Sequence, residues 1–316
     1  MQLFQNNKGT LIPVESDSFK LESDIQSLIE SNMETLFGLQ FVSTEFTVAG
    51  FRLDSLTYDE ENNSFVIVEY KKGHSYSVVD QGYSYLSTML NNKAEFILEY
   101  NEKIGTQLKR TDINWESSRV IFVSQSFNSH QKNSINFKGV PFELWEVRKF
   151  EGGLIALEQH ISTSTESIGV VTGDNPIIKP VTGVIKVPSE DELLSVCSDD
   201  IKELWKAFKE RLLELPNTSV HITQGYVSIK NAGTALIYVR FRQKELFCEM
   251  LRGNVYPDGK TRRKIFEIDD PKEVTSVRTW TYKSGVTGGA HIFSLNKIDQ
   301  LDYCMYLVKQ KYEHMS

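Results

Sequence analysis

The segment FVIVEYKK, residues 65–72, places charged residues directly after an apolar run of the kind found in buried strands. Because side chains alternate across a strand, Glu69 and Lys71 continue the face on which the apolar Ile67 lies. Unpaired charges in such a place would cost several kcal/mol. A divalent cation and a bound phosphate would remove that cost.

A second carboxylate precedes this pair by fifteen positions, at Asp54, with the turn DEENNS in between. If the two strands form a hairpin, Asp54 and Glu69 meet near its open end. Together with the backbone carbonyl of Tyr70 they make an oxygen-rich site suited to Mg²⁺ or Mn²⁺. Such an ion generates hydroxide from water and neutralises charge that develops on a phosphate. Lys71 would orient that water or stabilise the transition state.

The pattern formed by Asp54, Glu69 and Lys71 resembles the PD-(D/E)XK nuclease superfamily, and the resemblance covers residues 18–150. It implies an α/β (α+β) fold with a restriction-endonuclease-like mixed sheet flanked by helices, and Mg²⁺- or Mn²⁺-dependent hydrolysis of phosphodiester bonds. Leu53 stands where the name-giving motif has proline, a departure that leaves the role of the aspartate intact.

Further residues extend the resemblance. The first helix of the superfamily often supplies a glutamate toward the metal, and Glu30 is the first candidate here, with Glu34 second. Gln81 and Tyr85 form a Q-x-x-x-Y motif that looks like the extra motif of the RecB-like branch. Residues four apart share one face of a helix, so both side chains can point into one pocket. The resemblance implies that Gln81 holds a water or a phosphate and that Tyr85 braces it.

An E-x-K motif on its own has a simpler explanation, since exposed strand ends often carry this pattern. The upstream aspartate, the apolar run, the helical glutamate and the Q-x-x-x-Y motif together favour the nuclease fold. His74 is a further candidate base close to Lys71, and a plain loop residue is the alternative for it.

Hydrophobic spacing and turn residues predict the elements that must position these side chains. Helices are predicted over residues 20–37, ending before Gly38, and over residues 79–105, with a break at Asn91-Asn92. Strands are predicted at residues 41–58, 65–72, 117–127 and 141–150, and a short helix is predicted at residues 131–139.

A change in composition divides the 316-residue chain. We expect a nuclease-like domain over residues 1–162, a linker rich in Ser, Thr, Gly and Pro over residues 163–190, and a smaller α+β domain over residues 191–316. The last of these contains the helical segment IKELWKAFKERLLEL, the Gly-rich segment WTYKSGVTGGAHIFSL and the final helical segment DQLDYCMYLVKQKY. Through these segments it resembles a domain of unknown function that follows such nuclease domains in proteins of the "predicted transport protein" type. We expect it to recognise the substrate or a partner.

Cations are concentrated in this second half. Four of them flank the turn YPDGKTRRK, among them Arg262, Arg263 and Lys264, which could contact phosphates of a nucleic-acid backbone. The alternative is a solvated loop paired with the acidic segment FEIDD. The wider set of cations comprises Arg240, Arg242, Lys244, Arg252, Lys260, Arg262, Arg263 and Lys264.

Composition narrows the function classes. The first 165 residues hold 14 Lys and Arg against 22 Asp and Glu, so bulk charge there does not attract nucleic acid, and local cations and a metal must do so. The beginning of the sequence lacks the pattern of a signal peptide, and no apolar run is long enough to span a membrane. Three widely spaced cysteines disfavour disulfides and a zinc ribbon, and a reducing cytoplasm is the simplest setting.

The sequence therefore predicts a two-domain, cytoplasmic, metal-dependent nuclease whose substrate is nucleic acid, with DNA favoured over RNA. A non-catalytic nucleic-acid- or protein-binding module that retains the nuclease fold is the competing hypothesis. The sequence leaves the mode of cleavage and the oligomeric state open, with a homodimer among the alternatives.

Overall fold

The computed structural model describes residues 2–60, 62–71, 77–105, 107–137, 139–160, 176–185, 187–222, 225–232, 234–261, 264–281 and 287–315. The chain divides into two compact units, which consist mainly of residues 1–186 and 187–316. Within the described ranges, each helix is too short or too polar to cross a lipid bilayer.

The first unit combines strands and helices. Its strands are β1 (Leu3–Asn7), β2 (Thr10–Val14), β3 (Ser16–Asp17), β4 (Gln40–Val48), β5 (Phe51–Asp59), β6 (Ser64–Lys71), β7 (Arg119–Ser124), β8 (Phe142–Phe150) and β9 (Ile155–His160). Its helices are α1 (Glu22–Glu30), α2 (Met33–Phe37), α3 (Val78–Asn91), α4 (Lys93–Ile104), α5 (Ser129–Ser134) and α6 (Ile178–Val184).

Seven strands of the first unit form one mixed sheet in the order β3-β8-β7-β6-β5-β4, with β9 also paired to β8. The neighbours β6, β7 and β8 run parallel, whereas β4, β5 and β6 are joined antiparallel. Strands β6 and β7 are buried almost throughout, because their apolar side chains are covered on both faces. Helix α1 lies against β6, and α3 lies against β7. The predicted mixed α/β sheet flanked by helices is confirmed.

Polar residues determine where helix α3, which follows β6, begins and ends. The side-chain oxygen of Ser77 accepts a hydrogen bond from the amide of Asp80, which caps the first turn of α3. At the other end, the side chain of Asn92 donates to the carbonyl of Thr88 and leaves helical geometry. The predicted break at Asn91-Asn92 is confirmed.

Two sequence predictions for the first unit are wrong in detail. The single strand expected over residues 41–58 is a hairpin, with Ala49 and Gly50 both at positive φ (49° and 80°) as in a type I′ turn. The helix expected over residues 20–37 is interrupted between α1 and α2. There the side chains of Ser31 and Asn32 donate to carbonyls of the preceding turn and compete with the helical bonding pattern.

The second unit is an antiparallel sheet with helices. Its strands pair side by side in one sheet. Trp205 and Phe208 from one helix and Met305 from another are almost fully buried in a core that they share with the sheet. The predicted α+β second unit is confirmed. Its elements are α7 (Glu190–Leu194), α8 (Asp199–Leu213), β10 (Thr218–Ile222), β11 (Val227–Asn231), β12 (Thr234–Arg242), β13 (Glu245–Val255), β14 (Ser276–Thr281), β15 (Thr287–Leu295) and α9 (Leu301–His314). The strand order in the sheet is β10-β11-β12-β13-β15-β14.

The stretch predicted as a linker, residues 163–190, contains structure in its described part. Helix α6 lies within it and packs near α3, with Ile178 and Val181 buried. Residues 161–175 lie outside the described ranges. The three cysteines are buried and carry free thiols.

Candidate active site

The carboxylate of Asp54 occupies a fork between two strands. The pairing of β5 with β6 runs from Asp59 opposite Ser64 to Ser55 opposite Val68 and ends there. Beyond that point, Asp54 Oδ2 accepts a hydrogen bond of 2.9 Å from the backbone amide of Tyr70. The side chain thus replaces a backbone acceptor at the end of the ladder, which fixes one carboxylate oxygen between the strands.

Glu69 lies next to this fork and is almost completely buried, with 4% of its surface exposed. Its Oε1 atom accepts hydrogen bonds from Lys71 Nζ at 2.9 Å and from Gln81 Nε2 at 2.7 Å. The alternation of β6 places Glu69 and Lys71 on one face, and α3 covers that face. The structure therefore brings Lys71 and Gln81 each into contact with Glu69.

Helix α3 delivers the two polar residues of the Q-x-x-x-Y motif to the same place. Gln81 Nε2 donates to Tyr85 Oη at 2.6 Å, one helical turn away. The helix approaches the sheet closely because residue 82 is glycine: a Cβ atom on Gly82 would lie 2.5 Å from Cε1 of Phe142. Gly82 is thus a positioning residue for the motif, which sequence reasoning missed although it directly follows Gln81.

The charges of the site interact strongly. Burial, and next the nearby charge of Glu69, raise the pKa of Asp54 to about 7, against the opposing effects of the Tyr70 amide and of Lys71. Two carboxylates that share one partly dry site resist being ionised together. A cation bound between them would relieve this repulsion.

Two oxygen atoms of the site are buried without a hydrogen-bond partner in the described part of the chain, Glu69 Oε2 and Gln81 Oε1. Buried acceptors in this condition are costly, and each calls for a ligand, an ion or a water. Carboxylate and amide oxygens are the donors that Mg²⁺ and Mn²⁺ prefer, so the residues present fit a hard divalent cation. Within the described ranges, no group of three or more His, Cys, Asp or Glu side chains is placed to hold a metal.

Glu30, the predicted helical glutamate, is held on the other side of the sheet. Its Oε1 atom accepts hydrogen bonds from Ser55 Oγ at 2.6 Å and from Gln26 Nε2 at 2.9 Å. Ser55 Oγ also lies 3.0 Å from Tyr70 Oη. Ser55 and Tyr70 alternate with Asp54 and Glu69 along their strands, so they face the opposite side. A role for Glu30 in metal binding stays a prediction.

Gln26 connects Glu30 to the backbone of strand β5 at Asp54. Its Nε2 atom donates to Glu30 and also to the backbone carbonyl of Asp54, at 3.2 Å. Sequence reasoning missed both Gln26 and Ser55. The signals were present, because Gln26 precedes Glu30 by one helical turn and Ser55 adjoins Asp54.

The cations predicted to contact phosphates in the second unit are only partly described. Arg262, Arg263 and also His74 of the first unit lie outside the described ranges, whereas Lys264 is exposed. Other members of the cation set form ion pairs: Arg240 with Glu249, Arg242 with Glu245, and Arg252 with Glu267.

Two solved structures show a partial likeness to this chain. One is a repair endonuclease from Pyrococcus abyssi, with a TM-score of 0.23 and 19% identity over 40% of this chain and 48% of the other. The second is the EndoMS–dsDNA2 complex, with a TM-score of 0.24 and 17% identity over 43% of this chain and 50% of the other. The chain thus spans about half the length of each of them. Likeness at this level supports neither a shared fold nor a shared activity.

Sequence comparison, unlike the two solved structures, shows a relationship over nearly the whole chain. No family model matches the chain. A protein from Haemophilus influenzae, described as uncharacterized, is 38% identical over 312 residues, which cover 98% of this chain and 99% of that protein. The chain therefore belongs to the same family as this Haemophilus influenzae protein.

Proposed function

We propose that the first unit is a metal-dependent nuclease that hydrolyses phosphodiester bonds in DNA. One observation carries the proposal: at the fork between β5 and β6, two carboxylates and a lysine converge on a place where Glu69 Oε2 and Gln81 Oε1 are buried without a partner in the described chain. The structure maintains this costly arrangement at a sheet end that a ligand would complete.

Asp54, Glu69 and the backbone carbonyl of Tyr70 would hold Mg²⁺ or Mn²⁺. When bound, such an ion lowers the pKa of a water ligand and offsets the negative charge that develops on a phosphate under attack. Asp54 is suited to this task because one of its oxygens is already fixed by the Tyr70 amide at 2.9 Å. Because its pKa is about 7, a nearby cation would favour the ionised form of Asp54 that binds a metal.

Lys71 supplies the positive charge of the site. Its ammonium group is held 2.9 Å from Glu69 Oε1 and so points at the same pocket as the carboxylate. There it would orient the attacking water or stabilise the charge of the transition state. Gln81, braced by Tyr85, would hold a water or a phosphate oxygen, and this arrangement supports the RecB-like branch.

Two further proposals concern the role of the second unit and the cellular location of the protein. We assign the second unit to recognition of the substrate or a partner, since it carries the exposed Lys264, which follows Arg262 and Arg263 in the sequence. A cytoplasmic location suits three buried cysteines that keep free thiols.

Incubation of the full chain with plasmid, linear duplex, single-stranded DNA and RNA, with and without Mn²⁺, tests the proposal. We expect Mn²⁺-dependent cleavage of DNA that is abolished in Lys71→Ala, while DNA binding largely survives. Lys149→Ala is a matched control, because Lys149 lies in an exposed ion pair with Asp17. A Lys71→Ala variant that cuts like the parent would refute the role of Lys71.

A Mn²⁺ titration separates the enzyme from its alternative. Measurable affinity that is lost in Asp54→Asn supports a metal-dependent enzyme. A parent protein that binds DNA without measurable Mn²⁺ affinity would instead be a non-catalytic binding module.

A further inference from the structure

A row of side chains extends the site across the sheet. In the parallel part of the sheet, Lys71 pairs with Ser124, and Ser124 pairs with Glu146. Paired residues at one level of a sheet point to the same face, so Glu146 faces the side on which Glu69 and Lys71 lie. Since neighbouring strands are about 4.8 Å apart, the backbone of Glu146 lies about 10 Å from that of Lys71.

Glu146 is a buried carboxylate, 5% exposed, that anchors two cations. Its Oε1 atom lies 2.7 Å from Lys132 Nζ and accepts a hydrogen bond of 3.1 Å from the amide of Phe127. Its Oε2 atom accepts a hydrogen bond of 2.5 Å from Arg148. The side chain of Lys132 is 34% exposed and that of Arg148 is 31% exposed. Each is therefore fixed by the buried Glu146 and still accessible to solvent.

The anchor stays charged although it is buried. Burial acts to raise the pKa of Glu146, but hydrogen bonds from Lys132, the Phe127 amide and Arg148 outweigh it, and the pKa is lowered. Cations fixed in this way have already lost much of their side-chain freedom. They therefore bind an anion at a smaller entropic cost than freely moving lysines and arginines do.

One exposed carboxylate competes for these cations. Glu158 lies 3.6 Å from Arg148, and its side chain is 61% exposed. An ion pair at this distance and exposure is screened by water and contributes little. The buried Glu146 offsets one of the two anchored positive charges, so a net positive charge faces any ligand that displaces Glu158.

We propose that Lys132 and Arg148 form a phosphate subsite that holds the nucleic-acid backbone beside the candidate active site. The proposal rests on the proposed nuclease function for the identity of its ligand. A backbone separation of about 10 Å keeps the two places within reach of one nucleic-acid strand whose reacting phosphate would lie at Glu69 and Lys71. The competing explanation is that the two cations only satisfy a buried carboxylate.

The experiment measures the affinity of the full chain for an oligonucleotide duplex at several salt concentrations, in a Lys71→Ala background that does not cleave. We expect the double variant Lys132→Gln, Arg148→Gln to weaken binding by ~10- to 100-fold. The slope of log affinity against log salt should fall by about 1 for each lost contact. Lys149→Gln is the matched control, because Lys149 adjoins Arg148 on β8 and points to the other face.

Two further variants guard against a structural artefact. Lys132→Arg together with Arg148→Lys keeps both charges and should retain most of the affinity, even if the melting temperature falls. Glu158→Gln removes the competing carboxylate and should tighten binding a few-fold, which a purely structural role of the cations does not predict.

Each outcome decides between the two proposals. Unchanged affinity and salt slope in the Lys132/Arg148 double variant would overturn the subsite. A reduced slope in a protein that never cleaves DNA with Mn²⁺ would keep the subsite and overturn the nuclease. A parent protein that binds no DNA would overturn both.

Discussion

Two buried ionic clusters lie in the same sheet and treat their charges differently. In the first, Arg119 at the start of β7 donates to Asp59 Oδ2 and to Glu143 Oε1, both at 2.7 Å. Asp59 accepts further hydrogen bonds from the backbone and side chain of Asn62. In the second, at the fork between β5 and β6, Glu69 has one oxygen bonded twice and the other without a partner in the described chain.

The difference indicates what each cluster is for. A buried charge whose partners are all present is stable within the folded chain and needs no ligand. A buried carboxylate oxygen without a partner carries a desolvation cost that a ligand, an ion or a water would relieve. We therefore assign the Arg119 cluster a structural role and the Glu69 cluster to the proposed ligand site.

The largest effect is expected when the structural cluster loses its cation. Arg119→Met leaves the carboxylates of Asp59 and Glu143 close together without their common partner, so the free energy of unfolding should fall by ~3–5 kcal/mol. Urea unfolding followed by circular dichroism measures this. Arg52→Met is the control: Arg52 is paired with Glu45 in a largely exposed ion pair and should change stability little. A loss for Arg119→Met no greater than for the control contradicts the structural role.

The second variant removes a charge from the other cluster. Glu69→Gln should lower cleavage by ~100- to 1,000-fold, as does the loss of one strong electrostatic group in other active sites. The melting temperature should change little, because Asp54 is freed from the repulsion of Glu69 and can ionise as the remaining counter-charge of Lys71. Glu45→Gln, on the exposed strand β4, is the control for activity. Strong destabilisation by Glu69→Gln with full activity would reverse the comparison.

The pH dependence of stability reports on Asp54. Its pKa is about 7 in the folded chain and near 3.9 when unfolded, so the native state binds the additional proton between these values. The stabilisation is therefore complete below about pH 4 and is lost as the pH rises through about 7, by at most about 1.4 kcal/mol per pH unit. Asp54→Asn should remove this fall, while its side-chain oxygen can still accept the Tyr70 amide.

Urea unfolding at several pH values in the presence of a chelator measures the effect. Wild type and Asp54→Asn should diverge above about pH 4, with the variant the more stable at pH 8. Parallel curves for the two proteins would mean that Asp54 has an ordinary pKa and that the two carboxylates do not share one site.

Much of the fold could be predicted from the sequence, because hydrophobic runs and breaks determine it. The continuous apolar residues of β6 and β7 indicated central strands, and Asn92 indicated the break between α3 and α4. The hairpin at Ala49-Gly50 was missed because it lacks the Asn-Gly pair that usually marks such turns.

The candidate site was predictable in one part only. Alternation along β6 predicts that Glu69 and Lys71 share a face, and helical spacing predicts the same for Gln81 and Tyr85. Sequence spacing does not tell how closely α3 approaches the sheet, which depends on the absence of a side chain at Gly82. The hydrogen bonds of Glu30 could not be predicted either, since they depend on the side of β5 that α1 covers.

The smallest predicted effect concerns the face of the sheet on which Ser55 and Tyr70 lie, opposite to Glu69. Tyr70→Phe removes a hydroxyl group that lies 3.0 Å from Ser55 Oγ, the donor to Glu30. Loss of one such buried hydrogen bond should lower the free energy of unfolding by ~0.5–1.5 kcal/mol. Cleavage should be nearly unchanged, because the hydroxyl group faces away from Glu69. Urea unfolding and the cleavage assay on the same preparation measure both quantities.

Tyr83→Phe separates the effect of the hydrogen bond from that of removing any tyrosine hydroxyl. The hydroxyl group of Tyr83 is buried without a partner in the described chain, so its removal should leave stability unchanged or raise it. If Tyr70→Phe instead lowers cleavage as strongly as Glu69→Gln while stability hardly changes, then the two faces of the sheet act as one unit. Glu30 would in that case contribute to the catalytic site, as the nuclease resemblance implies, through the hydrogen-bonded path of Ser55 and Tyr70.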